Sequence, residues 1–269
     1  MNKPLLDLYA DYLLSSFGAT TATGLSALLE GALSHDKITR FLSEREFTSA
    51  DLWRLVKPLV RKVQSADGVL IIDDSIQEKP YTDENDLICW HFNHAKNCNV
   101  KGINFLSTLY QVGDISVPVA FALVPKTEWV LDKKTGKQKR RSAISKNEYY
   151  RTMLRACVAN QIPFRYVLND IWFASVENMK LIKCELHKDY IMPLKANRKV
   201  ALSAQDKQLG KYQAVESLSL EPGAVQEVWL EGVDFPLCLV KQVFTNEDGS
   251  QGTLYLVSSD VTLTFEVFV

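Results

Sequence analysis

Two short apolar stretches of the sequence end in aspartate. Residues 69–72 lead directly into Asp73 and Asp74, and residues 164–168 lead into an asparagine that is followed by Asp170. An ionised carboxylate at the end of a buried strand is costly unless a cation or strong hydrogen-bond donors accompany it. If the two strands are neighbours in a sheet, their terminal carboxylates converge on one site.

Carboxylate oxygens that have no cysteine or histidine beside them suit a hard divalent ion, Mg²⁺ or Mn²⁺. Two such ions can activate an attacking oxygen and stabilise a leaving oxygen on a phosphodiester, which is phosphoryl transfer on DNA or RNA. Spacing alone leaves a plainer interpretation open, in which each aspartate only caps the turn or helix that follows it. Because neighbouring side chains on a strand point to opposite faces, we expect only one of Asp73 and Asp74 to face the site.

The segments around these acids follow strand and helix patterns in turn, with Gly113 and Asp114 as a hairpin turn. The predicted elements are strands at residues 69–72, 102–111 and 115–124, a helix at 146–160, a strand at 164–168, a helix at 175–186, a strand at 190–194, a β-meander within 213–244 and a strand at 253–257. This order predicts an α/β fold with a mixed sheet.

The first 66 residues show only the apolar spacing of helices. Helix starts are expected at Thr23, at Ser34, and at Thr48 or Ser49, because these hydroxyls can cap a first turn. The period changes at Gly68, so we predict a helical domain over residues 1–66 and a second domain over residues 67–269.

Composition limits the function classes. The chain has 269 residues, 46% of them hydrophobic, and a formal net charge of -1, so it can bury a large core but is not a basic protein that coats nucleic acid. Five cysteines form no regular framework and acids interrupt the N-terminal apolar residues, which predicts a reducing cytoplasm. No stretch reaches the roughly 18 apolar residues of a membrane span, so no membrane role is expected.

One basic cluster stands out in this near-neutral chain. Its six cations surround Thr135 and Gly136 in an expected loop, and they are Lys133, Lys134, Lys137, Lys139, Arg140 and Arg141. The candidates for contact with DNA phosphates are Lys139, Arg140 and Arg141, since each neutralised phosphate releases counterions. The alternative is a plain solvated surface.

Two further groups of residues have both a functional and a structural interpretation. Cys89, His91, His94 and Cys98 are ligand types for zinc, but their spacing is poor for a zinc finger, and the two histidines could contact phosphate instead. Trp129 and Trp172 could stack on bases, although tryptophans beside apolar runs more often pack in the core.

Five motifs, in their shared order, closely resemble the catalytic core of the DDE transposases of bacterial insertion sequences. They are IIDDSIQEKPYT at residues 71–82, WHFNH at 90–94, VKGINFL at 100–106, VLNDIWFAS at 167–175 and LYLVSSD at 254–260. The resemblance implies a ribonuclease H-like mixed sheet with flanking helices, a β-rich insertion at about residues 205–250, and a small all-helical domain before it. In this family the first acid precedes a small hydroxyl residue, which selects Asp74, and Asp170 is then the second acid.

The resemblance also implies an activity and partners. It predicts Mg²⁺- or Mn²⁺-dependent cleavage and strand transfer of double-stranded DNA at the terminal inverted repeats of an insertion sequence, in the bacterial cytoplasm with the nucleoid. The helical domain would bind DNA or a partner, and the protein partners left open are a second copy or a full-length transposase. The alternatives are a non-catalytic DNA-binding remnant that regulates full-length transposase, and a ribonuclease H-like nuclease unrelated to transposition.

The family's third acid lies on a helix after the final strand, with a Tyr, an Arg and a Glu at helical spacing. Residues 262–269 lie close to where that helix should begin, and Glu266 stands in an apolar, strand-like tail, so the catalytic role is not transferred to it. We therefore expect a catalytic domain without its final helix and a defective copy of the enzyme.

Overall fold

The computed structural model of the chain describes residues 3–44, 46–133 and 135–268. The first two residues of the predicted helical domain, the last residue of the second domain, and Lys134 of the basic cluster lie outside these ranges. The chain divides into two compact units, Met1–Thr48 and Ser49–Val269. None of the described helices is both long and apolar enough to cross a lipid bilayer.

The described residues of the first unit form three helices: α1 Lys3–Ser15, α2 Ala22–Leu28 and α3 His35–Ser43. They bury Tyr12, Leu25 and Ile38 against one another. The cap predicted at Ser34 is confirmed, because its hydroxyl accepts a hydrogen bond from an amide in the first turn of α3. The start of α2 differs from the prediction: Thr21 caps it, and Thr23 lies inside the helix.

The fourth helix, α4 Ser49–Val63, belongs to the second unit. Its Trp53 and Val60 are buried in the same core as the sheet of that unit. The sequence placed the domain boundary after residue 66, whereas the contacts divide the chain after Thr48. Helical periodicity identified α4 as a helix, but it carries no information on which neighbour the apolar face packs against. The role predicted for the helical domain stays a prediction.

An eleven-stranded mixed sheet forms the centre of the second unit, and two further strands form a separate hairpin. The strands in chain order are β1 Val69–Glu78, β2 Ile88–Asn93, β3 Cys98–Val112, β4 Ile115–Leu123, β5 Glu128–Leu131, β6 Gln138–Arg141, β7 Tyr166–Asn169, β8 Asp189–Leu194, β9 Lys199–Ala201, β10 Gln213–Ala214, β11 Val225–Leu230, β12 Leu237–Thr245 and β13 Gln251–Ser258. The helices of this unit after α4 are α5 Lys146–Ala159, α6 Val176–Lys180, α7 Ala204–Gln208 and α8 Phe265–Phe268. A π-helical turn, Leu181–Glu185, extends α6.

The sheet combines an antiparallel and a parallel part. Strand β3 pairs antiparallel with β1 and β4, while β1, β7 and β8 run parallel to one another. Beyond β8 the sheet continues through β13, β12, β11, β9 and β10. The mixed sheet with flanking helices confirms the predicted ribonuclease H-like fold class. The strands of the predicted insertion extend this same sheet.

The parallel pair β1 and β7 lies in the middle of the core. Leu70 and Ile72 of β1 and Val167 of β7 are fully buried, and Tyr150 and Leu154 of α5 are buried in the same cluster. A serine cap and a glutamate three residues later start α5 with a reciprocal capping box. Helix α5 therefore packs in the same core as the two strands whose ends carry the candidate acids.

Several local predictions differ from the structure. Strand β1 continues past residue 72 to Glu78, and β2 was not predicted. The basic cluster lies only partly in a loop: Lys133 and Lys137 lie between β5 and β6, whereas Lys139, Arg140 and Arg141 belong to β6, which pairs with β5. The tail around Glu266 is a short helix instead of a strand. Charged and mixed sequences of this kind carry weak periodicity, so tertiary contacts decide their conformation.

The buried part of β1 gives a prediction for stability. Ile72→Ala should lower the free energy of unfolding by about 2–4 kcal/mol, because it removes apolar atoms from a closed core and leaves a cavity. Ile115→Ala, at a half-exposed strand position, is the matched control and should cost clearly less. Urea unfolding of both variants measures the difference, and equal losses would show that β1 is not part of the stabilising core.

Candidate active site

The three candidate acids lie around one cavity. Asp73, Asp74 and Asp170 all line an open cleft of about 760 Å³ at the carboxyl end of β7. The last paired residues of the two parallel strands are Ile72 and Asn169, so the acids follow immediately after the pairing ends. The convergence expected from the sequence is therefore present in the fold.

Both Asp73 and Asp74 line the cleft, and the expectation that only one of the two carboxylates faces it stays a prediction. Beyond Ile72, β1 keeps its hydrogen-bonded neighbour β3 but has lost β7. The sheet is therefore open on that side of β1, next to both acids.

Asp74 is held by two donors. Its Oδ2 accepts a hydrogen bond of 3.0 Å from Nδ2 of Asn104 and an ion-paired hydrogen bond from Nζ of Lys146. Asn104 is buried on β3, at the point where the pairing of that strand passes from β2 to β4. Lys146 is the first residue of α5, directly after the serine of the capping box.

Asp73 has a different environment. Its Oδ1 accepts a hydrogen bond of 2.8 Å from the amide of Asp74. Burial raises the pKa of the Asp73 carboxyl, the amide bond lowers it, and the charges of Asp74 and Asp170 raise it further. Asp73 therefore carries electrostatic repulsion from both neighbouring acids.

Asp170 caps the turn that follows β7. Its Oδ1 accepts a hydrogen bond from the amide of Ile171, at the start of a 3₁₀ turn, Ile171–Phe173. Asp170 thus has the capping role that the sequence left open as an alternative. The residue still lines the cleft. The preceding Asn169 is buried, and its Oδ1 accepts a hydrogen bond of 2.8 Å from the hydroxyl of Tyr150. This bond fixes the end of β7 against α5.

The donor set of the cleft suits a hard cation. Carboxylate oxygens are present, no cysteine lines the cleft, and the Lys146 ammonium already stands against Asp74 as a positive charge. Within the described ranges, no group of three or more His, Cys, Asp or Glu side chains is placed to hold a metal ion. Mg²⁺ commonly takes one or two protein carboxylates and completes its shell with water and substrate phosphate, so Asp74 and Asp170 fit such an ion.

His91 and His94, two of the four possible zinc ligands in the sequence, also line the cleft. His91 lies on β2 and His94 directly follows it. His91 is buried, and burial lowers the pKa of its imidazole to about 4, with the charges of Lys126 and Lys146 lowering it further. Cys89, two residues earlier, is buried and its thiol donates to the carbonyl of Asn85.

Aromatic rings form an exposed wall beside the acids. The ring centroids of Phe92 and His94 are 4.9 Å apart, and those of His94 and Trp172 are 5.4 Å apart. Trp172 and Trp129 are both more than half exposed, so their expected place in the core is wrong. The lysine amine of Lys195 lies 5.1 Å from the centre of the Trp172 ring. Rings in this position are available to a ligand in the cleft.

The cations of β6 are paired with acids. Lys139 bonds Asp132 at 2.9 Å and Arg141 bonds Glu128 at 2.8 Å, and both cations remain well exposed. Arg140 is largely buried and ion-paired, and its guanidinium lies 4.6 Å from the centre of the Trp129 ring. Arg140 is therefore a structural residue of the hairpin, while Lys139 and Arg141 keep exposed charge.

Sequence reasoning missed Asn104, Lys126 and Lys146 as residues of the cleft. Asn104 lies within the motif at residues 100–106, which carried the resemblance but suggested no role for it. Lys146 follows a serine that caps a helix, a signal for the helix start but not for the ion pair with Asp74, 72 residues away in the chain. The amide and the two ammonium groups make the cleft a site with both negative and positive charge.

The sequence of the chain matches a known protein family. A family model described as DDE superfamily endonuclease matches residues 3–213. The chain belongs to this DDE superfamily. The match confirms the family-level resemblance. No curated protein matches the sequence.

A solved structure also resembles the fold of this DDE protein. It is the Drosophila P element transposase strand transfer complex, with 12% sequence identity and a TM-score of 0.34. The match covers 69% of this chain and 36% of that chain. The chain thus spans little more than a third of the length of that transposase.

The raised pKa of Asp73 gives a prediction for pH dependence. A carboxyl with a raised folded-state pKa contributes stability below its unfolded pKa, and this contribution is lost as pH rises through the folded pKa. Asp73→Asn should therefore raise the free energy of unfolding at pH 7, by up to about 1 kcal/mol because the group is partly solvated. The gain should vanish near pH 3. Urea unfolding at both pH values tests this, with the exposed Asp67→Asn as control; a loss of stability at pH 7 would contradict it.

Proposed function

We propose that this DDE protein is a transposase that cleaves double-stranded DNA at the ends of an insertion sequence, using Mg²⁺ or Mn²⁺ held by Asp74 and Asp170. The observation that carries the proposal is the convergence of these two carboxylates in one open cleft at the ends of parallel strands. The family match supports phosphodiester cleavage as the reaction class. Such a protein would work in the bacterial cytoplasm, where the nucleoid is.

The residues of the cleft have distinct tasks in this reaction. Asn104 fixes one oxygen of Asp74 by a hydrogen bond, which sets the direction of the carboxylate before any metal arrives. The Asp170 carboxylate is fixed by its bond to the next amide. When bound, the metal supplies Lewis-acid stabilisation of the charge that develops on the phosphodiester.

The positive groups of the cleft suit the phosphate of the substrate, as the acids suit the metal. Lys126 and Lys146 also line the cleft, and each offers an ammonium to a phosphate oxygen. Lys126 donates to the carbonyl of Trp90 at 2.6 Å, and burial lowers the pKa of its amine. An ammonium held in this way is partly desolvated, so its attraction to a phosphate is stronger than that of a free surface lysine.

Metal binding tests the assignment of the two acids. Asp74→Asn and Asp170→Asn should each abolish Mn²⁺ binding in calorimetry, since each change removes a charged ligand with little change in volume. Any metal-dependent nicking of duplex DNA should fall by about 100-fold or more, and an absence of nicking by the original chain would support the defective copy expected from the sequence. The control Asp67→Asn, at an exposed position outside the cleft, should bind and cut like the original chain.

The same measurement on Asp73→Asn separates the adjacent acids. A variant that keeps Mn²⁺ binding supports Asp74 as the first ligand, and a larger loss than in Asp74→Asn would assign the role to Asp73. Cleavage of duplexes with and without the element's terminal repeats then separates a transposase from a general nuclease, because equal rates on both would remove the transposase assignment.

The exposed cations of β6 are proposed to contact DNA phosphates. Lys139→Ala together with Arg141→Ala should weaken duplex binding and reduce the slope of log affinity against log salt by about 1.8, if each side chain neutralises one phosphate. Lys57→Ala with Lys62→Ala removes the same charge from the exposed side of α4 and is the matched control. Fluorescence anisotropy at several salt concentrations gives the slopes, and an unchanged slope would make the hairpin a plain solvated surface.

A further inference from the structure

Lys146 is paired with the carboxylate that the proposed function assigns to the metal. Its Nζ donates to Oδ2 of Asp74, and Nδ2 of Asn104 donates to the same oxygen at 3.0 Å. The Asp74 side chain is only 19% exposed. A divalent ion and an ammonium on one such carboxylate repel each other strongly, because water screens little of their interaction. Metal binding by Asp74 therefore competes with its ion pair to Lys146.

The two donors on Asp74 differ in their freedom to move. Asn104 is buried within the sheet, and its Nδ2 also bonds the carbonyl of Ser75. The Lys146 side chain is 43% exposed, and its ammonium stands on a flexible aliphatic stem. Asn104 can therefore keep its bond when a divalent ion is bound, and Lys146 is the donor that leaves.

The surroundings of Lys146 favour an anion as its next partner. Lys146 is the first residue of α5, where the helix dipole presents its positive end. Besides the cleft, it lines a second cavity of about 490 Å³ together with Lys126 and Arg141. Among the described residues, Glu148 is the one acid in that lining, and the capping box of α5 uses its carboxylate. An ammonium released from Asp74 thus stands among positive charges, and a DNA phosphate is the anion that the proposed substrate brings.

We propose that Lys146 couples the binding of the metal to the binding of DNA. Its ammonium pairs with Asp74 in the metal-free chain and moves to a phosphate oxygen of the DNA in the metal-bound chain. This inference rests on the proposed function, which assigns Asp74 to the metal and DNA to the cleft. By thermodynamic linkage, Mn²⁺ and duplex DNA each strengthen the binding of the other, since both favour the arrangement in which Lys146 has left Asp74.

A cycle of binding measurements isolates this coupling. Fluorescence anisotropy of a short duplex, with and without Mn²⁺ at constant ionic strength, gives the factor by which the metal strengthens DNA binding. The factor should be about tenfold or more in the original chain and should fall by about fivefold or more in Lys146→Met, which removes the ammonium. Calorimetry without DNA should show tighter Mn²⁺ binding by Lys146→Met, because the competing cation is gone.

Lys126→Met is the matched control. Lys126 lines the same two cavities, but its ammonium donates to the carbonyl of Trp90. Its replacement should weaken duplex binding equally with and without Mn²⁺, so the coupling factor should stay within about twofold of the original. An ammonium has several donors, and a Lys146 that held Asp74 and a phosphate together would leave the factor unchanged in Lys146→Met as well. That result would overturn the inference.

A measurement on the unchanged chain keeps the inference testable if a variant fails to fold. Brief acetylation followed by mass spectrometry reports how freely each lysine reacts. Labelling of Lys146, relative to the exposed Lys57 of α4, should rise when Mn²⁺ is added and fall again when duplex DNA follows. No rise with Mn²⁺ would contradict the release of Lys146 from Asp74.

The outcomes separate this inference from the proposed function. If the original chain binds neither Mn²⁺ nor duplex DNA, or only one of the two, the proposed function and the inference fall together. If it binds both, but the coupling factor is the same in Lys146→Met and Mn²⁺ does not change the labelling of Lys146, only the inference falls.

Discussion

The parallel pairing of β1 with β7 is the constraint on which the rest of the second unit depends. Its register, from Val69 opposite Tyr166 to Ile72 opposite Asn169, sets where the acids stand. A shift of one residue would turn every side chain of a strand to the other face of the sheet, and the buried side chains of both strands forbid it. The packing of the core therefore determines where the carboxylates stand.

The cleft concentrates charges of both signs at the end of this pairing. Three aspartates within one cleft repel one another, and the ion pair of Asp74 with Lys146 offsets part of that cost. A protein selected only for stability would replace one of these acids, since removal of a repelled charge favours the folded state. The retained charges suit a ligand that brings both a cation and an anion, as a metal-bound phosphodiester does.

The sequence predicted the parts of this structure that have strong local patterns. The buried runs that became β1 and β7, the hairpin of β3 and β4, and helix α5 all carry clear periodicity, and the acids at the strand ends followed from them. The sequence did not predict β2, because its cysteine and histidine residues were interpreted as possible ligands for zinc. The β5–β6 hairpin was missed because its lysines and arginines read as a solvated loop, whereas their acid partners include residues as distant in sequence as Glu84. Long-range ion pairs leave no periodic signal.

Strand β3 gives its outer edge first to β2 and then to β4, and this division has a mechanical consequence. Among the described residues, β2 pairs with β3 alone, and β1 also pairs with β3 alone beyond Ile72, where its pairing with β7 ends. Edge segments with one neighbour open locally at a small fraction of the free energy needed to unfold the whole domain. We therefore expect β2, and the part of β1 that carries Asp73 and Asp74, to open more easily than the four residues of β1 that also pair with β7.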